Sequence, residues 1–104
     1  MHKGFIPFID NKQSAAFYRK LILAFLIDSN PNVNLVALEK LTGWPKRTIQ
    51  DSLREIKTIS IVVSYQGSSK NGFYQVDSWG LIDKSEVYER IELITDVFYK
   101  HLNK

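Results

Sequence analysis

Four side chains that donate hydrogen bonds lie close together between residues 46 and 54: Lys46, Arg47, Gln50 and Arg54. At about 100° per residue in a helix, Arg47, Gln50 and Arg54 lie on one side, and Lys46 flanks them. Arginine and glutamine form paired hydrogen bonds to the major-groove edges of guanine and adenine. A helix with this face could therefore contact DNA bases. The alternative is a solvated helix face with ordinary charges.

One acidic residue, Asp51, interrupts this basic face. A carboxylate there would repel phosphate, so its presence needs an explanation. It lies four residues after Arg47 and three residues before Arg54, the spacings at which helical side chains pair. Asp51 therefore either holds the two arginines in position or accepts a hydrogen bond from the N4 amino group of cytosine. We favour the pairing role.

The segment that positions these side chains is predicted to form two short helices joined by a tight turn. Gly43 suits the left-handed end of the first helix, and Pro45 suits the first turn of the second. Trp44, between them, is expected to fill the core beneath the turn. Two amphipathic helices around such a turn predict a helix-turn-helix. The residues expected to face the core are Val36, Leu38 and Leu41 in the first helix and Ile49, Leu53 and Ile56 in the second.

The rest of the chain supplies further predicted elements. Residues 11–28 are apolar around most of a helical circumference, which predicts a helix that is buried on several sides. Residues 33–35 are a candidate short strand. β-Branched and aromatic residues in 59–65 and 73–79, around a polar loop that ends in Asn-Gly, predict a β-hairpin. A last helix is expected to begin near Asp83.

The central motif is Leu38-x-x-Leu41-Thr42-Gly43-x-Pro45-x-x-Thr48-Ile49-x-x-x-Leu53, and the hairpin motifs are Gly72-x-Tyr74 and Asp77-x-Trp79-Gly80. With these motifs in this order, residues 11–80 resemble the winged helix-turn-helix superfamily. The closing Tyr…Trp-Gly segment is similar to a small family of uncharacterised prokaryotic winged-helix proteins. The resemblance implies an α+β fold, with a three-helix core and a β-hairpin wing, followed here by an additional C-terminal helix.

In proteins of this superfamily, the second helix of the turn enters the major groove and the wing touches the DNA backbone or minor groove. The resemblance therefore implies sequence-specific binding of double-stranded DNA by a prokaryotic transcriptional regulator. Thr48 could contact a phosphate through its hydroxyl, and Lys70 at the wing tip could meet the adjacent backbone. The residues expected to contact DNA are Lys46, Arg47, Thr48, Gln50, Arg54, Lys57 and Lys70.

Three segments are expected: an extended N-terminal arm in residues 1–10, the winged helix-turn-helix domain in residues 11–80, and a C-terminal helix in residues 81–104. The last helix bears a wide apolar stripe. This stripe either forms the interface of a homodimer, which would bind two half-sites about one helical turn apart, or folds back over its own domain. We favour the homodimer. The stripe consists of Val87, Ile91, Ile94, Phe98 and Leu102.

Composition limits the other functions. The chain has 104 residues, of which 44% are hydrophobic, and a formal net charge of +3, which fits one mildly basic domain. It has no cysteine, and its two histidines, His2 and His101, lie at opposite ends. We therefore predict no metal site, no cofactor, no small-molecule ligand and no enzymatic activity. The longest apolar run, residues 21–27, is too short to span a membrane. We expect a cytoplasmic protein.

The alternative class is a winged helix that binds only other proteins, as an adaptor module. It is favoured by the single lysine in the wing loop, by Asp51 within the basic face and by the surplus of apolar residues. The charge distribution favours DNA: residues 34–80 hold six basic against four acidic residues, whereas residues 81–104 hold four against five.

Overall fold

The computed structural model describes residues 7–102. This part of the chain forms four helices, one short 3₁₀ turn and a two-stranded antiparallel sheet. The elements are α1 (Lys12–Ser29), α2 (Leu35–Thr42), α3 (Lys46–Glu55), the 3₁₀ turn (Ile56–Ile59), β1 (Val62–Gln66), β2 (Phe73–Ser78) and α4 (Lys84–Leu102). The predicted α+β winged helix-turn-helix with an additional C-terminal helix is confirmed.

Helix α1 is the centre of the core. It packs against α3, β2 and α4, and Leu23 and Ala24 in its middle are fully buried. Its start is fixed by a reciprocal cap, in which the Asn11 side chain accepts from the Ser14 backbone N–H at 2.9 Å and the Ser14 hydroxyl accepts from the Asn11 N–H. The predicted burial of this helix on several sides is confirmed.

The turn between α2 and α3 has the predicted geometry. Gly43 has a φ of +75° in the left-handed region, which ends α2, and Pro45 immediately precedes α3. The hydroxyl of Thr42 donates to the Leu38 carbonyl at 2.7 Å and accepts from the Trp44 backbone N–H at 3.0 Å. Trp44 is buried beneath the turn, as expected, because its side chain packs against the core.

Two local predictions were wrong. Val36 and Leu41 are 57% and 50% exposed, and only Leu38 of the predicted stripe is buried. Helix α2 has only eight residues, and one line of side chains is enough to seat it on the core. Residues 33–35 form no strand, because α2 begins at Leu35; Val33 instead accepts one hydrogen bond from the Tyr74 N–H at 2.9 Å.

The hairpin is held in register by paired side chains. Tyr65 lies opposite Tyr74, and their rings meet edge to face with centroids 5.1 Å apart. At the base of the hairpin, Gly80 lies against Ser60, whose hydroxyl accepts a hydrogen bond from the Leu81 N–H at 2.7 Å. The two ends of the hairpin are therefore fastened to each other, which fixes its position beside the helices.

Helix α4 folds back on α1 of the same chain. Three of the five residues predicted for a dimer interface, Val87, Ile94 and Phe98, are buried in the chain's own core. These three are therefore corrected to core residues, because the surface they cover belongs to their own domain. Ile91 is half-buried and Leu102 is exposed. The homodimer itself stays a prediction.

Only the end of the predicted N-terminal arm falls within the described residues. Pro7 and Ile9 are buried, whereas Phe8 between them is exposed. The Phe8 N–H donates a long hydrogen bond of 3.4 Å to the Tyr18 hydroxyl on α1. Residues 7–10 thus lie without regular structure against α1, and Phe5 and Ile6 lie outside the described residues.

Candidate nucleic-acid interface

The candidate interface is the outer side of α3. Ile49 and Ser52 turn toward the core and are buried, which forces the residues on the opposite side outward. The Arg47 side chain is 90% exposed and the Arg54 side chain is 64% exposed. The predicted orientation of the basic face is therefore what the structure shows. Five of its residues line one shallow concavity: Lys46, Arg47, Gln50, Asp51 and Arg54.

Asp51 pairs with the arginines on either side of it, but unequally. Both terminal nitrogens of Arg54, Nη1 and Nη2, donate to Oδ1 of Asp51, at 2.8 and 2.7 Å. The Nε of Arg47 lies 3.9 Å from Oδ2, beyond hydrogen-bond distance. Arg54 is therefore hydrogen-bonded to Asp51, whereas Arg47 makes only a longer ion pair with it.

The start of α3 differs from the starts of the other three helices in the described residues. Asn11, Asn34 and Asp83 cap α1, α2 and α4 through their side chains. Pro45 gives α3 no side-chain cap, and its first turn has no acidic residue. The first turn of α3 instead carries Lys46 and Arg47. Unpaired N–H groups and positive charges at the positive end of the helix dipole destabilise a helix, and a bound anion offsets that destabilisation.

A groove separates α3 from the hairpin. It is lined by three residues of α3, three of β1 and one of β2: Gln50, Leu53, Arg54, Val63, Ser64, Tyr65 and Tyr74. Ser64 and Tyr65 are not among the contact residues predicted from the sequence. Alternation along β1 was the signal available for them, but alternation does not reveal which side of a hairpin faces a helix. Burial, and then the neighbouring Tyr65, raise the pKa of Tyr74, so its hydroxyl stays protonated in the groove wall.

The remaining predicted contact residues lie outside the concavity. Thr48 is half-buried on the flank of α3, and Lys57 is exposed on the 3₁₀ turn that follows α3. Lys70 is exposed in the loop between the two strands. The structure therefore brings four of the seven predicted contact residues into one concavity, which they share with Asp51, and leaves the other three outside it.

These elements define the class of protein. Residues 12–98 match the family model described as a winged helix-turn helix. The chain therefore belongs to the winged helix-turn-helix family. The match includes α4 as far as residue 98.

The chain also resembles a protein of known structure. The chain is similar to a DUF2131 family protein from Shewanella amazonensis SB2B, with 34% sequence identity and a TM-score of 0.78. The alignment covers 86% of this chain and 94% of that one. No curated protein matches the chain. Among the helices in residues 7–102, none is both long enough and apolar enough to cross a bilayer.

Proposed function

We propose that this protein binds double-stranded DNA in a sequence-specific manner through the outer face of α3, as a transcriptional regulator in the prokaryotic cytoplasm. The observation that supports this most strongly is the concavity on α3, where Arg47, Gln50 and Arg54 project from one exposed helix face. Arginine and glutamine are the side chains best suited to paired hydrogen bonds with guanine and adenine. A helix that offers both on an open surface fits the major groove.

Electrostatics favour an anionic partner. Lys46, Arg47 and Arg54 outnumber Asp51 on this face, and the uncapped start of α3 adds its own partial positive charge. These three cations line the same concavity, so their fields add there. Binding should therefore release counterions and weaken steeply as salt concentration rises.

The flanking residues are proposed as phosphate contacts. Thr48 lies on α3, Lys57 on the 3₁₀ turn and Lys70 in the wing loop, and none of the three lines the concavity. Contacts of this kind position a protein on the duplex and carry no sequence information of their own. We assign base recognition to the face of α3 and orientation to these three residues.

A homodimer would double the recognition surface. The apolar residues that α4 leaves exposed are Leu93 and Leu102, since Val87, Ile94 and Phe98 are used by the core. A dimer built on them would place two copies of α3 on two-fold related half-sites. Light scattering coupled to gel filtration tests this by measuring the molar mass in solution. The mass of one chain at micromolar concentration would remove the dimer but not the DNA contact.

The experiment that tests the function is selection of bound duplexes from a random pool, followed by affinity measurement at several salt concentrations. We expect an enriched motif several base pairs long and a binding constant whose logarithm falls linearly with the logarithm of salt concentration. A two-fold symmetric motif would add support for the dimer. Failure to enrich any motif, together with no binding of generic duplex at low salt, would contradict the proposal.

One observation favours the alternative of a protein-binding adaptor. Leu81, between β2 and α4, is 93% exposed beside an apolar depression formed by Phe17, Ile82 and Val87. Large exposed apolar side chains beside such depressions occur at protein interfaces. Retention on heparin separates the two functions, because an adaptor should elute at low salt and a DNA-binding protein at high salt.

A further inference from the structure

We propose that Asp51 and Arg54 act as one unit on α3, in which Arg54 is a positioning residue and Asp51 contacts the N4 amino group of a cytosine. Arg47, one helical turn earlier, then contacts a guanine at a different position. This inference rests on the proposed DNA binding and assigns the base preference of the same surface. It reverses the simplest expectation for a basic helix face, which is that every arginine contacts a base.

The Arg54 guanidinium already donates its hydrogen bonds to Asp51. A guanine is usually bound by two parallel N–H groups that reach its O6 and N7 atoms. In Arg54 the end-on pair, one N–H from each terminal nitrogen, points to Oδ1 of Asp51. To bind a guanine with this pair, Arg54 would first have to give up two charge-assisted hydrogen bonds. The geometry therefore favours a supporting role for Arg54.

The Asp51 carboxylate has one oxygen bound by Arg54 and one oxygen that a DNA base can reach. Its Oδ1 atom is occupied by Arg54, but within residues 7–102 its Oδ2 atom has no hydrogen-bond donor. The side chain is 48% exposed on the concave surface, so Oδ2 is accessible to a duplex. A carboxylate oxygen is an acceptor only, and the major groove offers two amino donors, cytosine N4 and adenine N6. Adenine N6 lies beside the N7 acceptor, which repels a carboxylate, so Asp51 is better matched to cytosine N4. The charge of Arg54 offsets the repulsion between Asp51 and nearby phosphates.

Arg47 contrasts with Arg54. Its side chain is 90% exposed, and its nearest carboxylate oxygen lies 3.9 Å away. Its N–H groups make no hydrogen bond to another side chain within residues 7–102, so they are available to a duplex there. It lies four residues before Asp51, about one helical turn along the groove. Arg47 and Asp51 consequently face different base pairs, with donor and acceptor chemistry respectively.

The test compares the selected motif and the non-specific affinity of five proteins: wild type, Asp51→Ala, Arg54→Ala, Arg54→Lys and Arg47→Ala. All four substitutions are on the exposed face, and thermal melting checks that each variant is folded. We expect Asp51→Ala and Arg54→Ala to lose preference for the same cytosine position, by roughly 5- to 100-fold. Arg47→Ala should instead lose preference for a guanine at another position.

The non-specific affinity supplies a readout that separates support from direct contact. Asp51→Ala removes a negative charge and should bind generic duplex more tightly, whereas Arg54→Ala removes a positive charge and should bind it more weakly. Arg54→Lys keeps the charge but loses the fork that holds Asp51. It should therefore bind generic duplex more tightly than Arg54→Ala does and still lose much of the cytosine preference.

The outcomes distinguish this inference from the function on which it rests. If Arg54→Ala loses a guanine position that Asp51→Ala keeps, Arg54 contacts a base directly and the inference is wrong, although DNA binding stands. If Asp51→Ala keeps the complete wild-type motif, Asp51 contacts no base and the inference is equally wrong. If wild type binds no duplex, the proposed function and this inference fall together.

Discussion

The hydroxyl of Tyr99, near the end of α4, donates a hydrogen bond of 2.6 Å to the backbone oxygen of Thr42, the last residue of α2. The rings of Tyr99 and Phe98 also pack on Trp44, with centroid distances of 6.1 and 5.3 Å. Helix α4 therefore braces the turn from which α3 begins. Phe98, one residue of the apolar stripe of α4, is therefore used inside the domain, against the turn that precedes the proposed recognition helix.

The Tyr99–Thr42 hydrogen bond can be tested by removing one hydroxyl. Tyr99→Phe should lower the free energy of unfolding by about 1 kcal/mol, because the Thr42 carbonyl loses its donor in a partly buried place. Tyr65→Phe is the matched control, since the Tyr65 hydroxyl is bound only by long contacts of 3.3 and 3.5 Å near the surface. Urea denaturation measures both. Equal effects of the two substitutions would show that the bond contributes nothing specific.

The contact between Gly80 and Ser60 predicts a large effect of a single methyl group. A Cβ on Gly80 would lie 2.0 Å from the Ser60 carbonyl oxygen, and its φ of +58° already disfavours other residues. Gly80→Ala should therefore destabilise the fold by about 3 kcal/mol or more, as conformational strain and the clash add. Gly43→Ala is the control: its φ is +75°, but a Cβ there meets nothing within 4 Å.

Comparison of the two glycine variants separates the cost of the clash with Ser60 from the cost of the left-handed backbone. Gly43→Ala should cost only the left-handed penalty of about 1 kcal/mol. Denaturant titration of both variants gives the difference that belongs to the Ser60 contact. If Gly80→Ala were no more costly than Gly43→Ala, the hairpin ends would not be in contact as described.

The raised pKa of Tyr88 predicts that the protein loses stability as the pH becomes alkaline. Burial, its hydrogen bond to Asp28 at 2.6 Å and the charge of Asp28 raise the pKa of Tyr88 from 10.0 to about 12. A phenol whose pKa rises on folding stabilises the native state below its unfolded pKa. That contribution should be present up to about pH 10 and disappear as pH rises toward 12.

NMR of ¹³C-labelled tyrosine rings measures this titration directly. Asp28→Asn should lower the pKa of Tyr88 but leave it above 10.0, because burial, the largest cause, remains. Tyr88→Phe should remove the corresponding part of the alkaline loss of stability. A Tyr88 that titrates like an exposed tyrosine in wild type would show that it is not seated against Asp28.

Substitution of Lys70 tests whether the wing contacts the phosphate backbone. Lys70→Ala should weaken binding to all duplexes alike and reduce the magnitude of the salt slope by about 1, as expected for one lost phosphate contact. The selected motif should not change. Affinity measured on the selected duplex and on a scrambled one, at several salt concentrations, checks both points. A loss confined to the selected duplex would mean that the wing contacts bases.

Local signals in the sequence were enough to predict the helix-turn-helix. Gly43, Pro45 and the spacing of Ile49 and Leu53 each act over a few residues, and each behaves as predicted. The pairing of Tyr65 with Tyr74 also follows from local alternation and the turn between them. The outward orientation of Arg47 and Arg54 was predictable for the same reason, since burial of Ile49 fixes it.

Features that depend on distant parts of the chain were not predictable. An apolar stripe shows that α4 must be covered, but not by which surface, and it proved to be α1 of the same chain. The contact of Ser60 with Gly80 joins residues twenty positions apart and has no local pattern. The unequal pairing of Asp51 with Arg47 and Arg54 depends on side-chain geometry, which spacing alone leaves open.

The central claim is that the outer face of α3 binds DNA, and charge-matched double variants test it most directly. Arg47→Ala with Arg54→Ala removes two positive charges from that face, whereas Lys12→Ala with Lys100→Ala removes two from the start of α1 and the end of α4. Fluorescence anisotropy with a selected duplex compares their affinities with wild type. The α3 pair should lose at least about 100-fold, because Arg47 loses its base contact and Arg54 loses both its charge and its hydrogen bonds to Asp51, and the control pair less than about 5-fold. Equal losses in the two variants, or an unchanged affinity of the α3 pair, would contradict the claim.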